Sequence, residues 1–398
     1  MPASNTATLY GTVTKTFHWL TALLIITIIP LGLIANDLPY ETNAQLAFKA
    51  QLFSFHKTLG VIIFAVALAR ILWALTQTKP GALHPDRKAE TMLAEVVHWL
   101  LYISLVAVPL TGWIHHAATT GFAPILLPIG QSLPLVPKSE GFADVFATLH
   151  WIWSKVMVAS ILLHIAGALK HQFVDKDATL RRMWFGQTQA PALPAHRGSL
   201  VAPIAALGIF ALATAAAAAA GFFSHETRTA GPALAAVSSE WAVTDGAVAI
   251  TVTQFGSPVT GTFADWTSAI SFDPDATGVM GNVTTTIAIG SLQLGSVTSQ
   301  AMGADFFDAE TFPTATFAAN IIADGDGYVA DGTLSIKGNT VPVTLPFALT
   351  IVGDTAEMTG TLNLDRRTFE IGQSMSDETN LAFGVGVNVT LSATRSAQ

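Results

Sequence analysis

Five stretches of this chain are long and almost free of charge, and they constrain its first half more than any other feature. They run approximately from Phe17 to Ala35, Lys57 to Thr76, Val96 to His116, Val145 to Leu169 and Leu200 to Phe223. A helix rises about 1.5 Å per residue, so each stretch reaches across a hydrocarbon layer about 30 Å thick. The first is not read as a cleaved signal peptide, because no strongly charged segment precedes it and further spans follow. Pro30 and Pro109 fall inside spans, where neighbouring helices re-satisfy the carbonyls they free.

The basic residues predict orientation. Lys79, Arg87 and Lys88 separate spans two and three, and Lys170, Lys176, Arg181, Arg182 and Arg197 separate spans four and five. The alternate connections carry Lys49, Lys57 and Lys138 alone. The positive-inside rule places the N-terminus in the cytoplasm, and five spans place everything after Phe223 outside. In a Gram-negative cell this makes a multi-pass inner-membrane protein with a periplasmic C-terminal domain. The Ala215 to Ala220 run reads as part of a tethering helix rather than a linker or an internal signal.

Composition divides at Gly231. Residues 1–231 hold 15 Lys+Arg and 10 Asp+Glu, whereas 232–398 hold 4 and 17, giving net charges of +5 and -13. Two domains in two environments follow, and an overall charge of -8 leaves no basic footprint for nucleic acid. From Ser224 to about Ser239 the chain reads as a linker. Beyond it, apolar residues alternate, as in Val248, Ile250 and Val252 or Val385, Val387, Val389 and Leu391. Turns such as Asp324-Gly325-Asp326-Gly327 separate the runs, and this is read as a turn rather than a calcium loop. The pattern predicts an antiparallel barrel or sandwich, and no carboxylate pair in it reads as catalytic.

The chain has no cysteine and 11 histidines. Thiolate metal sites, thiol catalysis and covalent haem attachment are excluded, which leaves histidine, carboxylate and methionine for any metal. Ionisable groups inside spans are costly, so histidines there are functional candidates. His150 and His164 lie fourteen residues apart on span four, about 21 Å along nearly one helix face. Antiparallel neighbours put His18 level with His164 and His56 level with His150. Such pairs suit the axial positions of two b-type haems, but interfacial histidines or a proton path satisfy the spacing equally. His98 stands at the depth of His18 as a competitor, while His115 and His116 read as interfacial or supporting. Lys57, Arg70 and Lys155 are placed to meet haem propionates or a quinone carbonyl, or to snorkel.

Local motifs then carry a resemblance. Lys15-Thr-Phe-His18-Trp-Leu, His56-Lys-Thr-Leu-Gly60, His98-Trp-Leu-Leu-Tyr102, Pro109-Leu-Thr-Gly-Trp113, His164-Ile-Ala-Gly-Ala-Leu-Lys-His171 and Asp177-Ala-Thr-Leu-Arg-Arg-Met183 resemble the bacterial cytochrome b561 family over residues 8–185. The resemblance implies a four-helix di-haem bundle that exchanges electrons with isoprenoid, ubiquinone-like quinones. It implies His18, His56, His150 and His164 as axial ligands, with His98 not a ligand.

A second resemblance begins at residue 239. Asp305-Phe-Phe-Asp-Ala-Glu-Thr-Phe-Pro313 and Gly332-Thr-Leu-Ser-Ile-Lys-Gly-Asn-Thr-Val-Pro-Val-Thr-Leu-Pro-Phe347 resemble the YceI-like family over residues 239–396, with Phe272-Asp-Pro274 and Arg367-Thr-Phe-Glu-Ile-Gly372 in order. The resemblance implies a lipocalin-like barrel that takes an isoprenoid chain. The first strand, Val248 to Phe255, departs from the family by lacking its polar, often histidine-bearing pattern. Phe306, Phe307, Phe312, Phe317, Phe347, Leu349, Val385 and Val387 are the lining candidates, with an ordinary filled core as the alternative.

The expected whole is an all-α transmembrane four-helix bundle, a fifth tethering helix at about 200–223 within a 186–238 connection, and an all-β antiparallel barrel. Its expected role is quinone-linked electron transfer with a periplasmic donor or acceptor, the barrel holding a polyprenyl quinone or related lipid. The alternatives are a lipid-shuttling module anchored by a haem domain, or superoxide scavenging. Homodimerisation is left open.

Overall fold

The computed structural model describes residues 2–119, 121–186, 199–224, 234–325 and 327–396. Arg197, Asp326 and linker residues 225–233 lie outside the described residues. The chain divides into two compact units, one helical and one built on a β-sheet.

The helices are α1 (Thr12–Asp37), α2 (Asn43–Leu75), α3 (Lys88–Ala118), α4 (Glu140–Lys170), the short α5 (Thr179–Met183) and α6 (Val201–Ala219), and all belong to the helical unit except the start of α2, since residues 38–50 group with the sheet unit. Five of these helices are long and apolar enough to cross a membrane, the fourth counted through Asp175. Helix α2 begins well before the expected Lys57, because residues 43–55 contain no Gly or Pro and more than half are the helix formers Ala, Leu, Gln and Lys. Helix α4 starts at Ser139, whose hydroxyl accepts from the Phe142 amide. It ends in a single π turn, His171–Asp175, that Lys176 terminates in the left-handed region at φ 55°.

Packing inside this unit is apolar on both faces. Ile25, Ile28, Ile63, Ala67, Leu105, Val108 and Met157 form the interior. Leu23, Ile26, Leu72 and Leu162 are each more than 60% exposed, which in water would be a large unfavourable patch and in lipid is solvation. Helix α6 joins through Ala206 and Phe210 against Leu100, and Trp153 Nε1 donates to Thr214 Oγ1 at 3.0 Å.

The second unit is one ten-stranded antiparallel sheet. Its strands are β1 (Trp241–Gln254), β2 (Ser257–Phe263), β3 (Trp266–Phe272), β4 (Val279–Ala288), β5 (Leu292–Gln293), β6 (Thr314–Asp324), β7 (Gly327–Ile336), β8 (Asn339–Val352), β9 (Thr355–Asp365) and β10 (Leu381–Arg395). A one-turn helix, α7 (Thr298–Ala301), lies between β5 and β6. The spatial order is β3-β4-β6-β7-β8-β9-β10-β1-β2-β5. Hairpins join β6 through β9, and the β7–β8 turn uses Lys337 and Gly338 at φ 50° and 76°, as a two-residue hairpin requires.

The sheet curls so that its alternating apolar face is internal. The hydrogen-bonded order ends at β3 and β5, and the curled sheet has the lipocalin-like form that the sequence predicts. Strand β5 is two residues long and pairs with β2, while β2 pairs with Val248–Gln254 of β1 and leaves the first half of β1 beside β3, where Trp241 Nε1 donates to Phe272 O at 3.1 Å. Residues ahead of β1 partly cover the β3 edge: the Glu240 amide donates to Ile270 O at 3.1 Å, and the Ile270 amide donates to Ser239 Oγ at 2.8 Å.

Candidate functional site

Three helices of the bundle, α1, α2 and α4, bring the sequence-predicted histidines into two facing pairs. The ring centres of His18 on α1 and His164 on α4 are 6.1 Å apart with planes at 59°. Those of His56 on α2 and His150 on α4 are 6.3 Å apart at 87°. An imidazole centre lies roughly 3.2 Å from a metal bound by its nitrogen at about 2 Å, so two axial imidazoles on one iron stand about 6.4 Å apart. Both pairs fit a bis-imidazole iron.

The second pair is also oriented. His56 Nδ1 lies 3.2 Å from Ile28 O, and His150 Nδ1 lies 2.9 Å from Val108 O. These contacts place the ring proton on Nδ1 and leave Nε2 for a metal. Each ring also rests on a helical glycine one turn beyond its carbonyl partner. A Cβ at Gly32 would lie 2.6 Å from His56 Cε1, and one at Gly112 would lie 3.0 Å from His150 Cε1. The glycines were not singled out from sequence, although Pro30-Leu-Gly32 and Pro109-Leu-Thr-Gly112 are a visible signal of small residues at close helix approaches.

His98 is also close, with its ring centre 5.1 Å from that of His164. Its Nδ1 meets Ala94 O at 2.7 Å on its own helix, and its residue is exposed. His115 Nδ1 meets Ala143 O at 2.9 Å, which ties α3 to α4, and His116 Nε2 meets Gln131 Oε1 at 2.9 Å, which ties α3 to the connecting loop. Arg70 stacks on Tyr102 at 5.5 Å, while Lys155 is exposed and stacks on Trp151 at 5.3 Å. Lys57 is half-buried beside His56.

A polar network at one end of the spans was read from sequence only as basic charge. His84 Nε2 and His171 Nδ1 meet Asp177 Oδ2 at 3.0 and 2.6 Å, and Asp175 binds Arg87 and Lys170 at 3.0 and 2.9 Å. Burial works against the charge on Asp177, but hydrogen bonds from Thr179, His171 and His84 outweigh it and hold the carboxyl at about 2. His84, His171 and Asp177 are close enough to hold a cation, yet their hydrogen bonds to one another already account for the cluster.

Inside the curled sheet lies a cavity of about 250 Å³. A water needs only about 10–15 Å³ by this measure, so the cavity is far more than a packing defect. Phe306, Phe307, Phe317, Phe347, Leu349, Val385 and Val387 line it. Phe312 does not, because the turn in which its amide binds Asp308 O at 2.8 Å carries it over Gly338. The charged residue of the lining is Arg366, 3% exposed.

A membrane bundle with facing histidine pairs is the architecture of a membrane cytochrome of the b type, here continued into a lipocalin-like sheet domain. A family model of prokaryotic cytochrome b561 matches residues 9–186, and one of the YceI-like domain matches residues 240–394. The chain is 32% identical to cytochrome b561 homolog 2 of Escherichia coli over 46% of its own length and 95% of that protein. It is 26% identical to a probable superoxide oxidase, CybB, of Yersinia pestis, over 42% of this chain and 90% of that one. Among solved structures, Burkholderia cenocepacia BcnA is 32% identical, covering 37% of this chain and 96% of that chain at a TM-score of 0.36. The chain belongs to the cytochrome b561 family and carries a YceI-like domain after it.

Proposed function

We propose that this protein is a di-haem membrane electron carrier in which His18 with His164, and His56 with His150, are the axial ligands of two b-type haems. The observation that carries the reading is the pair of ring separations, 6.1 and 6.3 Å, each the span of a bis-imidazole iron. Haem bound there would supply one-electron chemistry. The chain's own residues set it up: Ile28 O and Val108 O fix the tautomers of His56 and His150, and Gly32 and Gly112 leave room for the rings. Lys57 and Arg70, both half-buried, are the groups that would meet propionates or a quinone carbonyl in this reading.

The electron partner in this reading is an isoprenoid quinone, and the YceI-like cavity holds a polyprenyl quinone or related lipid. An apolar cavity of about 250 Å³ supports it. Each prenyl CH2 buried contributes about 0.8 kcal/mol. The concentration of Arg87, Lys88, Lys170, Arg181 and Arg182 beyond one end of the spans supports a cytoplasmic N-terminus and a periplasmic sheet domain in a bacterial inner membrane. The test is haem content and low-spin absorbance of the purified full chain, with quinol as reductant. Two haems per chain, reduced by quinol, are expected; absence of low-spin b-type bands would overturn the reading.

A second reading has its own motive. The Yersinia relative is named a probable superoxide oxidase, and Lys57 adjoins His56. Superoxide would give up one electron to become dioxygen, and quinone would accept two such electrons with two protons. Quinone-dependent loss of superoxide in a pulse experiment separates this from transfer that starts at quinol.

A further inference from the structure

The sheet unit includes two segments from far ahead of its first strand, residues 38–50 and 119–123. The first of them holds the start of α2. Thr42 and Gln45 cap that start reciprocally: the Gln45 amide donates to Thr42 Oγ1 at 3.3 Å, and Gln45 Oε1 accepts from the Glu41 and Thr42 amides at 3.0 and 3.2 Å. Lys49 Nζ donates to Leu38 O at 2.6 Å and stands over the Tyr40 ring. The cap fixes where the helix begins and puts Leu46 one turn in, where it is 2% exposed and lines the cavity of the sheet domain.

Leu46 enters at an identifiable end. Asn380, itself buried, donates from Nδ2 to Asn43 O at 2.9 Å, and the Asp377 carboxylate accepts from the Asn43 side chain. Asn380 adjoins Leu381, which pairs with Gln254 at the end of β1, and both of these line the cavity. The frame around this end is firmly fastened. Arg366 has five N–H donors, and five backbone carbonyls take them: Ala382 from Nε at 3.0 Å, Ile371 and Gly372 at 2.9 and 2.7 Å, and Met375 and Leu381 at 2.6 and 3.2 Å. Gly121, at φ 74°, lies so close to Val259 that a Cβ would stand 2.5 Å from its Cγ2, and the Phe122 ring packs 6.1 Å from that of Phe255. Residues 38–50, in contrast, are tied to themselves by the cap and by Lys49, add no strand to the ladder, and meet the sheet through Asn43 and Leu46.

We propose that the first two turns of α2 are the door of this cavity, whatever apolar molecule it holds: Leu46 is the plug, the hydrogen bond from Asn380 to Asn43 is the latch, and an occupant enters and leaves when residues 43–50 unwind or swing out. A helix terminus opens by breaking a few hydrogen bonds of its own, and such local opening is far more frequent than opening of a sheet. Passage through the wall would break a strand ladder instead. Arg366 keeps the frame in place while the plug moves.

The chain has no cysteine, so one introduced thiol reports access without background. In the full chain in nanodiscs, modification by N-ethylmaleimide is followed by intact mass for three thiols: Leu46→Cys at the plug, Ala330→Cys on the cavity wall, and Ala288→Cys, buried at the end of β4. Leu46→Cys should react at least about tenfold faster than Ala288→Cys, which waits for the sheet itself to open. Asn380→Leu and Leu46→Ala should each speed Ala330→Cys severalfold and leave Ala288→Cys unchanged. A Leu46→Cys rate no higher than that of Ala288→Cys overturns the door, as does an Ala330→Cys rate that neither variant raises. A rise that Ala288→Cys shares is loosening of the whole sheet and overturns it equally.

Discussion

Gly32 lies directly against the imidazole of His56, where a Cβ would stand 2.6 Å from Cε1. In an unconstrained helix, replacing glycine by alanine stabilises by about 1 kcal/mol. Here that gain is opposed by displacement of a ring already tied to Ile28 O. Gly32→Ala should therefore lower haem content toward one per chain while the protein still folds. Gly208→Ala, whose Cβ meets nothing within 4 Å, should keep the full complement. Pyridine haemochrome assay against protein concentration measures both.

The two histidine pairs should fail separately in the first instance. His150→Ala is expected to remove the low-spin signal of the His56 pair, and His164→Ala that of the His18 pair. His98→Ala should retain both, because its Nδ1 is held by Ala94 O on its own helix. Low-temperature reduced spectra and redox titration resolve the components; loss of a haem in His98→Ala would transfer the ligand role from His18 or His164 to it.

Asp177 links stability to acid. Its carboxyl sits at about 2 rather than the ordinary 3.8. A depressed value means that the folded state favours the carboxylate, so this contribution is complete above about pH 4 and is lost as pH falls through about 2. Thermal melts between pH 5 and 2 should show a decline that is shallower in Asp177→Asn. Equal slopes in the two proteins would remove Asp177 as the cause.

Arg366 secures the β9–β10 connection to itself. Arg366→Met strands five carbonyls in a buried setting and should cost on the order of 3–5 kcal/mol of sheet-domain stability. Arg366→Lys should recover little, since an ammonium has three donors and no planar fork. Denaturant unfolding followed by fluorescence of Trp241 and Trp266, both in the cavity wall, reads this directly.

Much of this architecture is legible in the sequence, because hydropathy and period are local properties. The spans show as runs without charge, and the fourteen-residue spacing of His150 and His164 survives as two levels of one helix. Strand alternation located most of the sheet. What escaped depends on backbone groups or on distant partners. No composition or period announces that Ile28 O and Val108 O orient imidazoles, or that Arg366 spends its donors on carbonyls. Nor does any pattern announce the turn at Asp308, at φ 47°, whose carbonyl accepts from the Phe312 amide.

Helix α4 supplies one histidine to each pair, fourteen residues apart on a single unbroken rod. The two sites are therefore ruled by one vernier. A slip of α4 by one turn, about 5.4 Å, would carry His150 away from His56 and His164 away from His18 together. Neither pair can be retuned by moving this helix without detuning the other, so changes that adjust one centre alone must come from α1 or α2.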